Sequence, residues 1–262
     1  MKYFIFSDVH GFYNELMQAL EVAGYDRNNP NHCVISLGDL LDRGPDDVKC
    51  IEFVNSLNNK ILIGGNHEDL LVQALCKREF SVHDLHNYTI DTCYQIYNIV
   101  TDSNAQLFDV SDKEICETVL SYEPLNIYFD SLKDYAEIQD NIFVHGWIPL
   151  TNSGKYKADW RKASTSCWKR AKWYNGMSLW YQGIREEGKT IYCGHWHTSW
   201  GHANLHNDGV EFLQKIETFY IDPDTGKTEP HVNHSAFRDK GIVALDACTV
   251  ISNKVNVEVI EI

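Results

Sequence analysis

Six short runs of apolar, β-favouring residues, each closed by a cluster of polar ones, constrain this chain more than any other feature of its sequence. Lys2–Phe6 runs into Ser7-Asp8-Val9-His10-Gly11, Cys33–Leu37 into Gly38-Asp39, and Lys60–Ile63 into Gly64-Gly65-Asn66-His67-Glu68. Asn141–Val144 runs into His145-Gly146, Thr190–Cys193 into Gly194-His195-Trp196-His197, and Gly241–Leu245 into Asp246. Nearly continuous Ile, Val, Phe and Tyr without polar alternation is the pattern of central strands covered on both faces. Between the first three runs lie helical periodicities. Phe12–Ala23 carries Leu16, Ala19, Leu20 and Ala23 on one face, and Pro45 opens a helix with Val48, Ile51, Val54 and Leu57. Strands alternating with helices predict an α/β layered fold.

Residues 69–140 contain no strong strand. Leu70–Leu75, Asp112–Tyr122 and Leu125–Ile138 are expected to be helical, making this stretch a helical insertion. Residues 203–240 are polar and read as a long excursion, with Asp222-Pro223-Asp224-Thr225-Gly226 as a turn and a hairpin expected near the site. With no Pro/Ser-rich linker, a single domain over 1–262 is expected.

The charge balance narrows the partners. Lys plus Arg number 23 against 37 Asp plus Glu, for a formal net charge of −14. That excludes an extended nucleic-acid-binding surface, which needs clustered Lys and Arg. No apolar run approaches the roughly 20 residues of a membrane helix. The N-terminal apolar stretch is too short for a signal peptide. The eight cysteines are scattered without a CxxC pair, so free thiols in a cytoplasmic protein are expected.

Ligands of layered α/β proteins bind beyond the carboxyl ends of the strands, so the polar clusters should converge. Carboxylate and amide oxygens with imidazole nitrogens, and no thiolate, suit Mn, Fe or Zn. So many donors exceed the needs of one ion and match two divalent ions about 3.5–4 Å apart. The series Asp8-x-His10, Gly38-Asp39-x-x-Asp42-Arg43-Gly44, Gly65-Asn66-His67-Glu68, His145 and Gly194-His195-x-His197 resembles the calcineurin-like metallophosphoesterase superfamily. Two of its elements resemble the PPP branch, which contains Ser/Thr protein phosphatases and symmetrical dinucleoside tetraphosphatases. The second histidine of Gly-His-x-His, usual in general metallophosphoesterases, sets the C-terminal half apart from the protein phosphatases.

The resemblance implies a four-layer α-β-β-α sandwich with mixed sheets, two metal ions (manganese first, iron or zinc next), and a role for each motif residue. Asp8 and His10, joined by His197, would hold the first ion. Asp39 would bridge both. Asn66, His145 and His195 would complete the second site. A bridging water that loses its proton would attack phosphorus. His67 would protonate the leaving group, Asp42 would pair with His67, and Arg43 would grip phosphate oxygens. Two carboxylates against two divalent ions leave the site about two charges positive inside an acidic protein, which favours an anionic substrate. A further phosphate-binding arginine is assigned to Arg170, with Arg161 and Arg185 as alternatives.

Plainer readings stand beside these. Glu68 reads as an early-helix acid complementing the dipole. His83, His86, His202, His206, His231 and His234 read as solvated or rim histidines. Trp147, Trp196 and Trp200 read as core, or as a wall that stacks on a base or aromatic leaving group. The phosphorylated substrate is a phosphoprotein, a dinucleoside polyphosphate or another phosphoester. The alternatives to a phosphoesterase are an idle metal-binding interaction module and a zinc amidohydrolase. The latter leaves Asp42-Arg43-Gly44 and Asn66-His67-Glu68 unexplained.

Overall fold

The structure, a computed structural model, describes residues 1–212, 220–221, 228–229 and 231–262. The chain runs β1 (Lys2–Phe6), α1 (Tyr13–Val22), β2 (His32–Ser36), α2 (Asp47–Asn55), β3 (Lys60–Ile63) and α3 (Asn66–Lys77). Four helices follow, α4 (Val82–His86), α5 (Thr89–Thr101), α6 (Asp112–Ser121) and α7 (Glu123–Ser131), then β4 (Leu132–Lys133), β5 (Ala136–Ile138) and β6 (Asn141–Phe143). The remainder is a 3-10 turn (Trp160–Lys162), α8 (Thr165–Ala171), α9 (Gly176–Tyr181), β7 (Thr190–Cys193), α10 (Thr198–Leu205), β8 (Tyr220–Ile221), β9 (Thr228–Glu229), β10 (Phe237–Asp239), β11 (Ile242–Ala244), α11 (Thr249–Ser252) and β12 (Val257–Glu261).

Two five-stranded sheets result, β12-β1-β2-β3-β4 and β10-β11-β7-β6-β5. Both are mixed. β1 to β4 are parallel with β12 antiparallel at one edge; β11, β7 and β6 are parallel, with β10 and β5 antiparallel at the edges. Period-two alternation sends each central strand's side chains to two different cores. Phe4 and Phe6 of β1 face helices, with Leu16, Val54, Leu71 and Leu125, whereas Ile5 faces the other sheet. Ile191 and Cys193 of β7 pack with Trp168, Ala171 and Met177, whereas Tyr192 joins Ile5, Ile35, Leu37, Ile63, Phe143 and Val243. The middle core lies between the sheets and each outer core lies under helices, which gives the layers α-β-β-α.

The six expected strands are all present. The insertion differs from expectation at its end. Leu125–Ile138 is not one helix: α7 stops at Ser131, and Leu132–Lys133 and Ala136–Ile138 are edge strands of the two sheets. Edge strands of two and three residues offer too few side chains for a readable alternation. Within the excursion β8 and β9 pair antiparallel, Tyr220 with Glu229 and Ile221 with Thr228; the expected turn at 222–226 lies outside the described residues. All eight cysteines are free, and no helix among the described residues is long and apolar enough to cross a membrane.

Candidate metal centre

The loops after β1, β2, β3, β6, β7 and β11 meet at the carboxyl ends of both sheets. Their backbone is strained there: Asp8, His10, Asp39, Asp42, Arg43 and His195 all have φ between 51° and 75°, a region L-residues avoid unless the surroundings enforce it. Two close approaches depend on glycine. A Cβ on Gly65 would sit 2.0 Å from Asp39 Oδ1, and one on Gly194 would sit 2.1 Å from Asp8 Oδ2.

Asp39 is the hub. Its Oδ2 lies 3.3 Å from His145 Nε2, 3.9 Å from His10 Nε2 and 4.0 Å from His67 Nε2. Its Oδ1 accepts the His67 N–H at 3.0 Å. Among the described residues, two groups of His and Asp have donor atoms all within 4.8 Å of one another: His10-Asp39-His67 and Asp39-His145-His195. They share Asp39, as a bridging carboxylate requires. Asn66 joins the second group, its Oδ1 accepting from His145 Nε2 at 2.8 Å. Asp8 borders it, accepting the His195 N–H at 2.9 Å. Backbone carbonyls orient two imidazoles: His10 Nδ1 donates to Leu41 O at 2.9 Å and His145 Nδ1 to Leu37 O at 2.8 Å, which leaves each Nε2 for the centre.

The electrostatics are those of a cation site. Burial opposes charge on Asp39, but His145 and then His67 hold its carboxyl well below the ordinary range. Burial, then Asp246 and Asp39, push Asp8 well above it. Burial and then His145 lower His195 to about 3, and burial with Arg43 lowers His10 well below its ordinary value, which favours the neutral imidazole in both. Burial likewise disfavours charge on His145, yet Asp39 and Asp8 raise it to about 9. Buried oxygens and imidazole nitrogens around one carboxylate fit divalent ions, which compensate the carboxylates better than a single imidazolium proton.

Beside this centre, His67 Nδ1 donates to Asp42 Oδ2 at 2.7 Å, and His67 Nε2 accepts from Arg43 Nη2 at 3.0 Å. Arg43 Nη1 donates to His10 Nε2 at 3.0 Å. Glu68 is buried and does more than complement a helix dipole. Its carboxylate accepts from the backbone N–H of Asp39, Leu40 and Gly65 and from Tyr128 Oη at 2.7–3.0 Å.

Other expected residues stand apart. His197 caps α10, with Nδ1 2.9 Å from Ser199 Oγ and Nε2 3.5 Å from Glu211; it belongs to neither donor group. Arg170 is exposed and donates to Cys167 Sγ of its own helix at 3.4 Å. Arg161 is held by Glu137 and Glu186, and Arg185 is exposed. Trp147 is not part of a wall: it is 1% exposed and its Nε1 donates to Ile184 O, because β6 carries it under the helices of the second sheet. Trp196 is half-buried, 5.9 Å from the His197 ring and 6.4 Å from the Trp200 ring. His202 is buried rather than solvated, with its Nε2 3.0 Å from Ser235 O and its ring against Phe237.

Two residues at the centre had weaker signals. Asp246 ends a β-run as the others do, but its cluster holds a single polar residue; burial raises it to about 6, against a hydrogen bond from Cys248 N–H. Trp173, 47% exposed, sets its ring 5.6 Å from His195 and follows no motif.

Comparison with known proteins agrees with this geometry. The calcineurin-like phosphoesterase family matches residues 1–216. A symmetrical bis(5'-nucleosyl)-tetraphosphatase of Buchnera aphidicola is 38% identical over 74 residues, 28% of this chain and 26% of the relative. The asymmetrical bis(5'-nucleosyl)-tetraphosphatase PrpE of Halalkalibacterium halodurans is 28% identical over 167 residues, 60% of this chain and 61% of the relative. The chain thus spans between about a quarter and three fifths of the length of these two relatives. A cold-active protein-tyrosine phosphatase of a psychrophilic Shewanella has a similar fold, with TM-score 0.52 and 14% identity over 99% of this chain and 75% of that one. The chain belongs to the calcineurin-like phosphoesterase family.

Proposed function

We propose that the chain is a dinuclear metal-dependent phosphoesterase that hydrolyses a phosphate ester or anhydride. One observation carries the reading: two His/Asp donor groups share Asp39, with the His67–Asp42 pair and Arg43 alongside. Asp8, His10 and Asp39 would hold one ion, with Asp8 taking the place that His67 has in the first donor group and His67 left for the leaving group, and Asp39, Asn66, His145 and His195 would hold the other; His197 is proposed to join the first on turning from Ser199. Manganese is proposed first, iron or zinc next. Such ions, when bound, acidify the attacking water and neutralise phosphoryl charge.

The chain's own groups do the rest. The Arg43 guanidinium offers a planar fork to phosphate oxygens. Asp42 accepts from His67 Nδ1, so Nε2 faces the centre, and the Nε2–H of the imidazolium form would be the proton given to the leaving oxygen, with Nδ1–H staying on Asp42. Both Asp42 and Arg43 have positive φ; Asp42 is buried, whereas Arg43 is exposed and only its guanidinium reaches the centre, at His10 and His67. Manganese-loaded protein should hydrolyse 4-nitrophenyl phosphate. Asp39→Asn should lose about 10³-fold or more in rate together with bound metal. Full activity in that variant, or none in the loaded wild type, would refute the reading.

Within it, a dinucleoside polyphosphate is the substrate we favour over a phosphoprotein. The names of the relatives support it, as does the exposed Trp173 beside His195, which could stack on a base. Trp173→Ala should weaken hydrolysis of a dinucleoside tetraphosphate about tenfold and leave 4-nitrophenyl phosphate nearly unchanged. Equal effects on both would reject stacking. A cytoplasmic location is proposed with it, on the eight cysteines scattered without a CxxC pair.

A further inference from the structure

The helical insertion reaches beneath the metal centre. Asp42 is fully buried, and so are Thr89 and Thr92 of α5. A buried carboxylate keeps its position and charge only if its lone pairs find donors. Asp42 Oδ2 receives His67 Nδ1 at 2.7 Å and Thr89 Oγ1 at 2.9 Å, and Asp42 Oδ1 receives Thr92 Oγ1 at 2.7 Å. Positions 89 and 92 are three apart on one helix, so both hydroxyls fall on one face. β-Branching restricts each χ1, so the hydroxyls are presented with little freedom to leave.

Thr92 has one hydroxyl proton and two carboxylates within reach, Asp42 at 2.7 Å and Asp47 Oδ2 at 2.8 Å. A proton on Asp47 Oδ2 resolves this: Asp47 donates to Thr92 Oγ1 and Thr92 donates to Asp42. Burial and the nearby Asp42 push the Asp47 carboxyl well above its ordinary range. Gln95 of α5 fixes the far end, with Nε2 donating to Asp47 Oδ2 at 3.0 Å and to Gly44 O at 2.9 Å. The chain of contacts therefore runs from Gln95 through Asp47, Thr92 and Asp42 to His67.

We propose that Thr89 and Thr92 are positioning residues for proton transfer to the leaving group, acting through Asp42 on His67. This rests on the reading of His67 as the proton donor. The insertion then supports the chemistry directly, by fixing the ring whose Nε2 faces Asp39 and Arg43 at the centre.

The test uses the full-length, manganese-loaded protein and two substrates that differ in how much the leaving oxygen needs a proton: phenyl phosphate, and 2,4-dinitrophenyl phosphate. Thr89→Val with Thr92→Val removes both hydroxyls at nearly constant shape. The expected result is a fall in kcat of about 10²-fold on phenyl phosphate and only a few-fold on the dinitrophenyl ester, with KM and bound manganese unchanged. Thr89→Ser with Thr92→Ser should restore both rates. A second readout needs no turnover. The downfield His67 Nδ1 proton resonance, assigned by its loss in His67→Asn, should be weakened or shifted in the valine variant and recovered with serine. If the double variant does not fold, the two single valine variants are read the same way. Equal loss on both esters, or no rescue by serine, overturns the inference while a selective loss in His67→Asn keeps the reading of His67. Should His67→Asn show no selective loss on phenyl phosphate, both fall.

Discussion

Asp39 occupies a position that glycine and hydrogen bonds create rather than one its own side chain chooses. Gly65 yields the space beside it, and Glu68 receives the N–H groups of Asp39 and Leu40 while Tyr128 satisfies the same carboxylate. Glu68→Ala would strand three buried N–H donors at a typical 1–3 kcal/mol each. We therefore expect a loss of about 3 kcal/mol or more by urea unfolding, with weaker metal binding; a loss under about 1 kcal/mol would argue against this role. Gly194→Ala is the complementary case. The new methyl group meets Ser7 Oγ and Asp8 Oδ2, so Asp8 must move, and manganese affinity should fall about 10–100-fold by titration calorimetry. Asp8, His10, Asp39, Asn66, His67, His145 and His195 were legible because each sits in a short motif at a strand end. Trp173 was not, because its place beside His195 depends on where α8 ends. Arg170, expected beside a phosphate, is exposed on α8 and bonded to Cys167, just before the turn that brings Trp173 to the centre.

The helices between β3 and β4 are bound to the catalytic loops rather than appended to them. α5 reaches Asp42 and Asp47, and α7 reaches Glu68 through Tyr128. Tyr128→Phe removes one hydrogen bond to a charged group, which costs about 1.5–3 kcal/mol. It should raise amide exchange in the loops after β2 and β3 as well as in α7. Exchange changes confined to α7 would show the coupling to be local. The sequence announced α1 and α2 by periodicity and α3 and α6 in part, but extended the helix at Leu125 into β4 and β5. Helical and strand patterns cannot be separated over two or three residues, and those edge strands are defined by their neighbours, Leu62–Ile63 for β4 and Asn141–Phe143 for β5.

Across the whole molecule, metal and pH should act at different places. Ions that bind only the folded state stabilise it by about 2.7 kcal/mol at a hundredfold excess over Kd. Chelation should therefore lower Tm and manganese restore it; a Tm indifferent to both would contradict a site of this charge. Far from that centre, burial opposes charge on Glu186, but hydrogen bonds from Tyr156, Trp160 and Arg161 outweigh it and depress its pKa. A depressed carboxylate contributes stability above its unfolded pKa, near 4.5, and loses it as pH falls through the folded value. Glu186→Gln should flatten the acid limb of the stability curve by a few tenths of a kcal/mol. An unchanged acid limb would show that the cluster does not couple to folding. The residue string alone specified six strand cores, because unbroken β-branched and aromatic runs can be buried only inside a layered sheet, and the ligand types, because these side chains have few other uses at strand ends. The turning of His197 toward Glu211, the burial of Trp147 and the reach of Thr92 to Asp42 were decided only by tertiary packing. Each depends on which distant surfaces meet, and hydrophobic periodicity says that a face is buried without saying against what.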